Sequence, residues 1–126
     1  MIMIKPKSTY KTILLLLLIS TFGHAYAQLQ ADDIIGIYKD ESATKKIEIY
    51  KQQNKYFGKI IDCSTRGNVK VGDVLLFDFV YSTNCWDGYV YLPKRDLNLK
   101  AKILILKDRS LEIIAMKQVK KWVRIQ

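Results

Sequence analysis

From about Ile34 onward, the chain consists of short runs in which apolar and polar residues alternate, separated by polar turns. Within Lys46–Lys51, Ile47 and Ile49 fall on one face, and Glu48 and Lys46 fall on the other. A period of two is typical of a β-strand with one buried face. The alternation is cleanest in Leu97–Leu106, where every second residue is apolar as far as Ile105. The pattern predicts an all-β fold.

Eight such segments follow one another along the chain: Gly36–Lys39, Lys46–Lys51, Tyr56–Asp62, Leu75–Tyr81, Trp86–Leu92, Leu97–Leu106, Leu111–Met116 and Trp122–Ile125. The apolar run Asp73–Tyr81 fits either a buried strand or a short helical turn, and we favour a strand. A helical pattern is suggested only near Asp32–Ile35. Strands this short, joined by turns, predict a small antiparallel up-and-down barrel, whose closure removes exposed strand edges. A two-sheet sandwich is the alternative.

The first 27 residues have the pattern of an export signal. Three lysines precede the apolar run Ile13–Ile19, and Ala25 and Ala27 are small residues at the two positions that a signal peptidase reads. The sequence therefore predicts a signal peptide at 1–27 and a single domain at 28–126, exported to the periplasm or beyond. An uncleaved anchor is the alternative, but the apolar run falls far short of the roughly 20 residues that span a bilayer.

The chain is basic, with 21 Lys and Arg against 12 Asp and Glu and a formal net charge of +9. Three of the basic residues lie in the predicted signal, so residues 28–126 carry 18 against 12, a net charge of +6. This surplus suits anionic lipid headgroups or acidic small molecules. Nucleic acid is not an expected partner of an exported protein. The plain alternative is a solvated surface.

Two cysteines remain after the predicted cleavage, Cys63 and Cys85. An even pair in an oxidising compartment favours a disulfide, which would stabilise the fold by about 3 kcal/mol in the chain-entropy model. The bond requires the two α-carbons to lie within about 7 Å. We therefore predict the bridge, subject to that geometry.

The mature chain offers little for catalysis or metal binding. His24, the only histidine, lies in the predicted signal, which leaves no imidazole to activate a serine or a cysteine and no usual zinc ligand set. The acidic residues lack the spacing of a calcium loop. Glu48 and Glu112 alternate onto outward faces beside lysines, which predicts cross-strand charge pairs rather than an acid/base couple. The expectation is a non-enzymatic protein without metal or cofactor.

Four stretches together resemble domain-of-unknown-function family 2147, which comprises small secreted bacterial proteins: Asp33–Tyr38, Lys46–Tyr50 followed by Tyr56–Ile60, Trp86–Pro93 and Trp122–Arg124. The resemblance implies a lipocalin-like barrel. It lends no catalytic residue, because the family has no established reaction. The chain departs from the family pattern at Tyr38, where tryptophan is usual, at Leu92, where aspartate is usual, and in a shortened segment between Asp62 and Gly72.

A set of large side chains in the second half of the chain is the candidate ligand site: Trp86, Tyr89, Tyr91, Trp122 and Arg124, with Tyr81 nearby. Aromatic groups with polar tips often line small-molecule pockets. The alternative is that they fill and cap the barrel. Arg124 is open to both interpretations, since it could stack on an aromatic ring and bind carbonyls at the barrel end, or meet an anionic headgroup.

Two functions follow from these features. The first is an exported barrel that binds a small apolar or amphipathic, lipid-like ligand. The second is a module with no pocket that docks through its basic surface on an envelope protein or an anionic membrane. The space inside the folded domain distinguishes them, because a barrel filled by its own aromatic residues favours the second.

Overall fold

The computed structural model of the protein describes residues 28–64 and 69–126. The predicted signal peptide at residues 1–27 lies outside the described residues, as do residues 65–68 of the segment between Asp62 and Gly72. No helix in the described part of the chain is long and apolar enough to cross a membrane.

A short 3-10 helix, η1 (Ala31–Ile34), precedes eight strands. The strands are β1 (Gly36–Lys39), β2 (Lys45–Gln52), β3 (Lys55–Cys63), β4 (Val74–Ser82), β5 (Cys85–Leu92), β6 (Leu97–Ile105), β7 (Leu111–Ala115) and β8 (Gln118–Arg124). They match the eight predicted segments, although β8 begins four residues earlier than predicted. The helical pattern near Asp32–Ile35 corresponds to η1.

The strands form one closed barrel in which each strand pairs with its sequence neighbour and β8 returns to β1. All the pairings are antiparallel, so the up-and-down topology is confirmed and the sandwich alternative is excluded. The β1–β8 contact is the shortest, with the two register pairs Tyr38↔Arg124 and Lys39↔Val123. Backbone bonds between Ile37 and Gln126 extend it, because Ile37 N donates to Gln126 O at 2.8 Å.

Alternation along the strands sends one set of side chains into the barrel. The predicted inward residues Ile47 and Ile49 of β2 are buried, as are Ala101 and Ile103 of β6. The core combines these with buried residues from the other strands and from η1: Ile34, Tyr38, Tyr56, Ile60, Leu75, Leu76, Phe79, Trp86, Leu111, Ile113 and Trp122. Every strand therefore contributes to one common core.

Strand β4 departs from simple alternation, which explains why its sequence was hard to assign. Its register against β3 and β5 shifts at β-bulges, and Asp78 adopts a positive φ of 57°. The shifts bury the consecutive residues Leu75 and Leu76, and Phe79 is the next residue to point inward. A bulge adds an unpaired residue and so breaks the period of two.

Two hairpin turns follow the predicted positions. Gln53 and Asn54 join β2 to β3 with φ of 52° and 64°, and Thr83 and Asn84 join β4 to β5 with φ of 43° and 65°. Positive φ at both central residues characterises the tight turns whose twist matches that of paired strands. These short turns hold neighbouring strands in antiparallel register.

The two ends of the barrel differ. The strand ends at Gln52, Ser82, Ile105 and Arg124 lie at the end that η1 covers, which we call the closed end. The ends at Lys39, Cys63, Leu92 and Ala115 lie at the opposite end, which we call the open end.

The predicted disulfide is not formed, and that prediction was wrong. Cys63 lies beyond the Lys59↔Val74 pair at the open end, whereas Cys85 pairs with Ser82 at the closed end. The length of β4 separates them, roughly 20 Å or more at about 3.3 Å per residue. That distance is well outside the range that a disulfide spans. The thiol of Cys85 instead donates to the Ser82 carbonyl, with 3.0 Å between sulfur and oxygen.

We therefore expect a reductant to leave the stability of the folded protein unchanged. A bridge between Cys63 and Cys85 would contribute about 3 kcal/mol, which reduction would remove. Urea unfolding of residues 28–126 with and without dithiothreitol measures the difference. A loss of more than about 1 kcal/mol on reduction would contradict the separation of the two cysteines.

Candidate functional site

Four side chains from four strands hold the segment that contains η1 across the closed end. Each donates a hydrogen bond to a backbone carbonyl: Tyr81 to Leu29 at 2.8 Å, Trp86 Nε1 to Ala31 at 3.0 Å, Arg124 to Asp33 at 2.6 Å and Tyr38 to Ile34 at 2.7 Å. A helix of one turn leaves most of its carbonyls without an internal partner. These donors satisfy them, and we call the set the closed-end network.

Arg124 lies at the centre of the closed-end network. Its guanidinium carbon lies 5.1 Å from the centre of the Tyr38 ring, and Nη2 donates to the Tyr38 hydroxyl at 2.6 Å. Gly36 makes room for it, because a Cβ there would lie 3.2 Å from the guanidinium carbon and 2.8 Å from the Gln126 carbonyl oxygen. Of the two interpretations of Arg124, the structure supports the one in which it closes the barrel end.

Asp32 adds a charged contact at the edge of the same region. The Tyr56 hydroxyl donates to Asp32 Oδ1 at 2.5 Å, and Lys51 Nζ lies 3.1 Å from the same oxygen. The hydrogen bond from Tyr56, followed by the contact with Lys51, lowers the pKa of the Asp32 carboxyl. Burial of the Tyr56 hydroxyl, and next the hydrogen bond that it donates to the Asp32 carboxylate, raise the pKa of Tyr56. The charged form of Asp32 therefore helps to hold η1 against β2 and β3.

The structure separates the five predicted ligand residues into two groups. Trp86, Trp122 and Arg124 occupy inward positions, whereas Tyr89 and Tyr91 point outward from β5. The Tyr89 ring stacks on Phe77 with centroids 5.5 Å apart, and the Tyr91 hydroxyl donates to Asp96 at 2.9 Å. The prediction of one shared site was wrong for the two tyrosines. Each is an odd number of residues from Trp86 along β5, so its side chain points to the opposite face of the strand.

The candidate site predicted from the sequence did not include two residues of the closed end, Tyr38 and Tyr56. Both are buried, and both use their hydroxyl groups to hold η1. Alternation assigns Tyr56 to the inward face, but a hydroxyl partner 24 residues away gives no local signal. Tyr38 stands where the resembled family has tryptophan, so its position was visible although its partner was not.

Side chains fill the middle of the barrel. Trp86, Tyr38 and Ile103 have none of their surface exposed to a water-sized sphere. Because an empty cavity beside any of them would leave part of its surface accessible to such a sphere, these residues have no cavity next to them. At Gly88 an added Cβ would lie 2.6 Å from Phe79 Cγ, so the phenyl ring packs directly on the β5 backbone. Space for a ligand among these residues is therefore lacking.

Two of the depressions on the described surface lie outside the barrel at its closed end. The larger has a volume of about 630 Å³ and the smaller of about 280 Å³. They share Leu29, Ile105 and Leu106, and both are open to solvent. Neither includes Trp86, Trp122 or Arg124. These depressions are grooves beside η1 rather than an internal cavity.

The open end has apolar inward positions that its neighbours do not cover. Val90, Leu99 and Ala115 face inward and are only half-buried. Tyr81 and Ile105, which face inward at the closed end, are also half-buried, but they lie beside Leu29 of the segment that crosses that end. Leu97 pairs with Leu92 at the open rim and is 42% exposed. The open end, which η1 does not cover, therefore keeps exposed apolar surface in the barrel lining.

The charged residues form pairs typical of a solvated strand surface. Lys59 Nζ lies 3.6 Å from Glu48 Oε1, which confirms the predicted cross-strand pairing of Glu48. Glu112 lies opposite Lys121, but the ammonium of Lys121 contacts Asp108 at 3.3 Å. Within residues 28–64 and 69–126, no three His, Cys, Asp or Glu side chains are grouped so that they could hold a metal ion.

A comparison with solved structures finds the same architecture in another protein. The match has a TM-score of 0.61 and 14% sequence identity, and it covers 74% of this chain and 83% of the other. That chain is protein HP1028 from the human pathogen Helicobacter pylori, which belongs to the lipocalin family. The fold is a lipocalin-like barrel. At this identity the likeness shows the fold alone.

No family model and no curated protein matches the chain. The resemblance to family 2147 therefore stays a prediction, and the lipocalin-like barrel rests on the strand topology and on the structural match.

The closed-end network predicts a difference between two Tyr→Phe variants of this barrel. Tyr38→Phe removes a buried donor to the Ile34 carbonyl and the hydroxyl partner of Arg124, so we expect a loss of about 1 to 3 kcal/mol in the free energy of unfolding. Tyr91→Phe removes a hydroxyl on the outer face and should cost less than about 0.5 kcal/mol. Urea unfolding measures both values, and equal losses would contradict the structural role of Tyr38.

Asp32 should make the stability of the barrel depend on acidity. Its pKa is lower in the folded chain than in the unfolded one, so its stabilising contribution is present above about pH 4 and is lost as the pH falls further. We expect the free energy of unfolding to fall between about pH 5 and pH 3 more steeply in the wild type than in Asp32→Asn. Asp62→Asn controls for the loss of one exposed carboxylate, and equal slopes for the two variants would contradict the contribution of Asp32.

Proposed function

We propose that this lipocalin-like barrel is a non-enzymatic binding protein that takes a small apolar or amphipathic molecule at its open end. The observation that supports the proposal is the exposed apolar surface at the open end of the barrel lining. Leu97 is 42% exposed there, and Leu99 and Val90 are half-buried, whereas the segment that contains η1 covers the opposite end. Burying that surface under an apolar ligand would be favourable by about 25 cal/mol per Å².

The position of Lys120 favours a ligand with an anionic headgroup. Lys120 lies on β8 opposite Ile113, an inward-facing core residue, and two residues before the inward-facing Trp122. Its exposed side chain therefore stands on the inward side of β8 toward the open end. A carboxylate at the rim would meet its ammonium group while an acyl chain covers Leu97, Leu99 and Val90. A medium-chain fatty acid has this chemistry.

The place of action that we propose is outside the cytoplasm of a bacterium, after removal of residues 1–27. The N-terminal pattern of lysines, apolar run and small residues supports this. The resemblance to secreted bacterial proteins agrees with it. In the cell envelope, lipid-derived amphiphiles are the ligands that such an open end would meet.

A fluorescent fatty acid tests the proposed binding at the open end. We expect cis-parinaric acid to bind residues 28–126 with increased emission, and dodecanoate to displace it. Leu97→Asp places a charge at the rim and should raise the Kd by about tenfold, because the apolar contact of one leucine contributes on the order of 1.5 kcal/mol or more.

The matched control is Val123→Asp. Val123 is 49% exposed on the outer face of β8, a fraction close to that of Leu97, so the substitution makes the same chemical change away from the lining. It should leave the Kd unchanged. If the probe does not bind, or if both variants weaken binding equally, the proposed site at the open end is wrong.

A further inference from the structure

The surplus of positive over negative charge falls entirely in the last three strands and the turns that join them. Residues 28–96 contain ten Lys and Arg and ten Asp and Glu, so this part of the chain is neutral. Residues 97–126 contain eight Lys and Arg and two Asp and Glu, so this part carries the entire surplus of +6. Of the eight, Arg124 is committed to the closed-end network. The other seven lie on strands β6 and β8 and on the turns that join β6, β7 and β8.

Ion pairs follow the same division. Five of the six ion pairs within the described part of the chain involve only residues of the neutral segment. The sixth joins Lys121 to Asp108. Lys100, Lys102 and Lys117 are exposed and form no ion pair with a described residue. The surplus charge on this side is therefore available to an external anion.

Exposed apolar residues accompany these lysines. The register places Lys102 opposite Ile114, and Ile114 opposite Val119, on the outer face of β6, β7 and β8. Val119 is 56% exposed, and Met116, in the turn that follows Ala115, is 77% exposed. Lys117 is the next residue of the turn. We call Lys100, Lys102, Met116, Lys117 and Val119 the β6–β8 face.

We propose that the β6–β8 face docks the barrel on the surface of an anionic lipid bilayer. Lysines near such a surface are attracted to its headgroups, each contributing on the order of fivefold in affinity. The Met116 side chain and Val119 would enter the boundary between headgroups and acyl chains, while the long lysine side chains reach the phosphates.

Two features of the face favour a bilayer over other anionic partners. Met116, an apolar residue in a turn, is 77% exposed, and a bilayer would bury its side chain whereas a phosphodiester backbone would not. The neighbouring aromatic residue, Tyr89 opposite Lys100, is already stacked on Phe77, whereas sequence-independent binding of single-stranded nucleic acid relies on aromatic rings that stack on the bases. The proposal is independent of the ligand site, because the face lies on the outside of the barrel.

Vesicle binding tests the proposal without any small ligand. Residues 28–126 contain all eight strands and η1, and we expect them to sediment with vesicles of phosphatidylglycerol and phosphatidylcholine but not with phosphatidylcholine alone. The triple variant Lys100→Gln, Lys102→Gln, Lys117→Gln should lower the partition coefficient roughly tenfold to a hundredfold. Met116→Ser should lower it by about threefold or more through the lost apolar contact. Binding should weaken as salt is raised.

The matched control removes the same charge from the neutral segment. Lys55→Gln, Lys70→Gln, Lys94→Gln changes three exposed lysines outside β6–β8 and should alter the partition coefficient by less than about threefold. Circular dichroism and thermal unfolding confirm that each variant is folded. The absence of vesicle binding by the wild type, equal losses in the two triple variants, or tighter binding to a single-stranded oligonucleotide would each overturn the proposal.

Discussion

The barrel depends on the short seam where its last strand meets its first. Only two register pairs join β1 to β8, so the ladder itself supplies few hydrogen bonds there. The stacking of Arg124 on Tyr38, together with the donors that both residues direct at η1, reinforces this seam with side chains. Without closure, β1 and β8 would expose unpaired edges, and the inward residues of eight strands would have no common core. Gly36 belongs to the same constraint, since only a residue without a Cβ allows the guanidinium to lie against β1.

Closure of one end also determines where the barrel can bind. Of the aromatic residues that suggested an internal ligand site, Trp86, Trp122 and Tyr81 fill the barrel or hold the N-terminal segment, and Tyr89 and Tyr91 lie on the outside. A chain of this size has a modest core, and it uses its two tryptophans inside that core. Exposed apolar residues are present at the open end, at Leu97, and on the outside of β6–β8, at Met116 and Val119. The two proposed contacts are therefore displaced from the middle of the barrel, where larger lipocalin-like barrels have room for a ligand.

Much of the fold could be predicted from the sequence, because most strands follow a period of two and end at recognisable turns. Lys46–Lys51 and Leu97–Leu106 show this, as do the turns at Asn54 and Asn84. Strand β4 could not be assigned so directly, because its bulges bring consecutive leucines into the core. The prediction of a disulfide between Cys63 and Cys85 was wrong because a bridge requires both residues to lie at the same end of the barrel. The end of β3 and the start of β5 lie at opposite ends, and composition carries no such information.

The site was less predictable than the fold. Tyr89 and Tyr91 stand three and five residues after Trp86 in β5, so alternation places them on the opposite face of the strand. This signal was present in the sequence. The partners of Tyr38, Tyr56 and Arg124 were not, because each hydrogen bond joins a strand to a backbone or carboxylate group of the N-terminal segment. The division between a neutral segment and a basic one can be counted in the sequence, but only the pairing of β6 with β7 and of β7 with β8 shows that the basic segment forms one side of the barrel.

The hydrogen bond from Trp86 to the Ala31 carbonyl has a consequence for spectroscopy. Trp86 is fully buried. The centre of its indole ring lies 4.9 Å from the centre of the Tyr81 phenol ring, in the region that holds the N-terminal segment. Trp122, the other indole of the chain, is also buried in the core. Intrinsic emission should therefore respond to displacement of η1, which admits water to the Trp86 ring, and only weakly to events at the far rim. Tryptophan emission can therefore follow the detachment of the N-terminal segment separately from ligand binding at the open end.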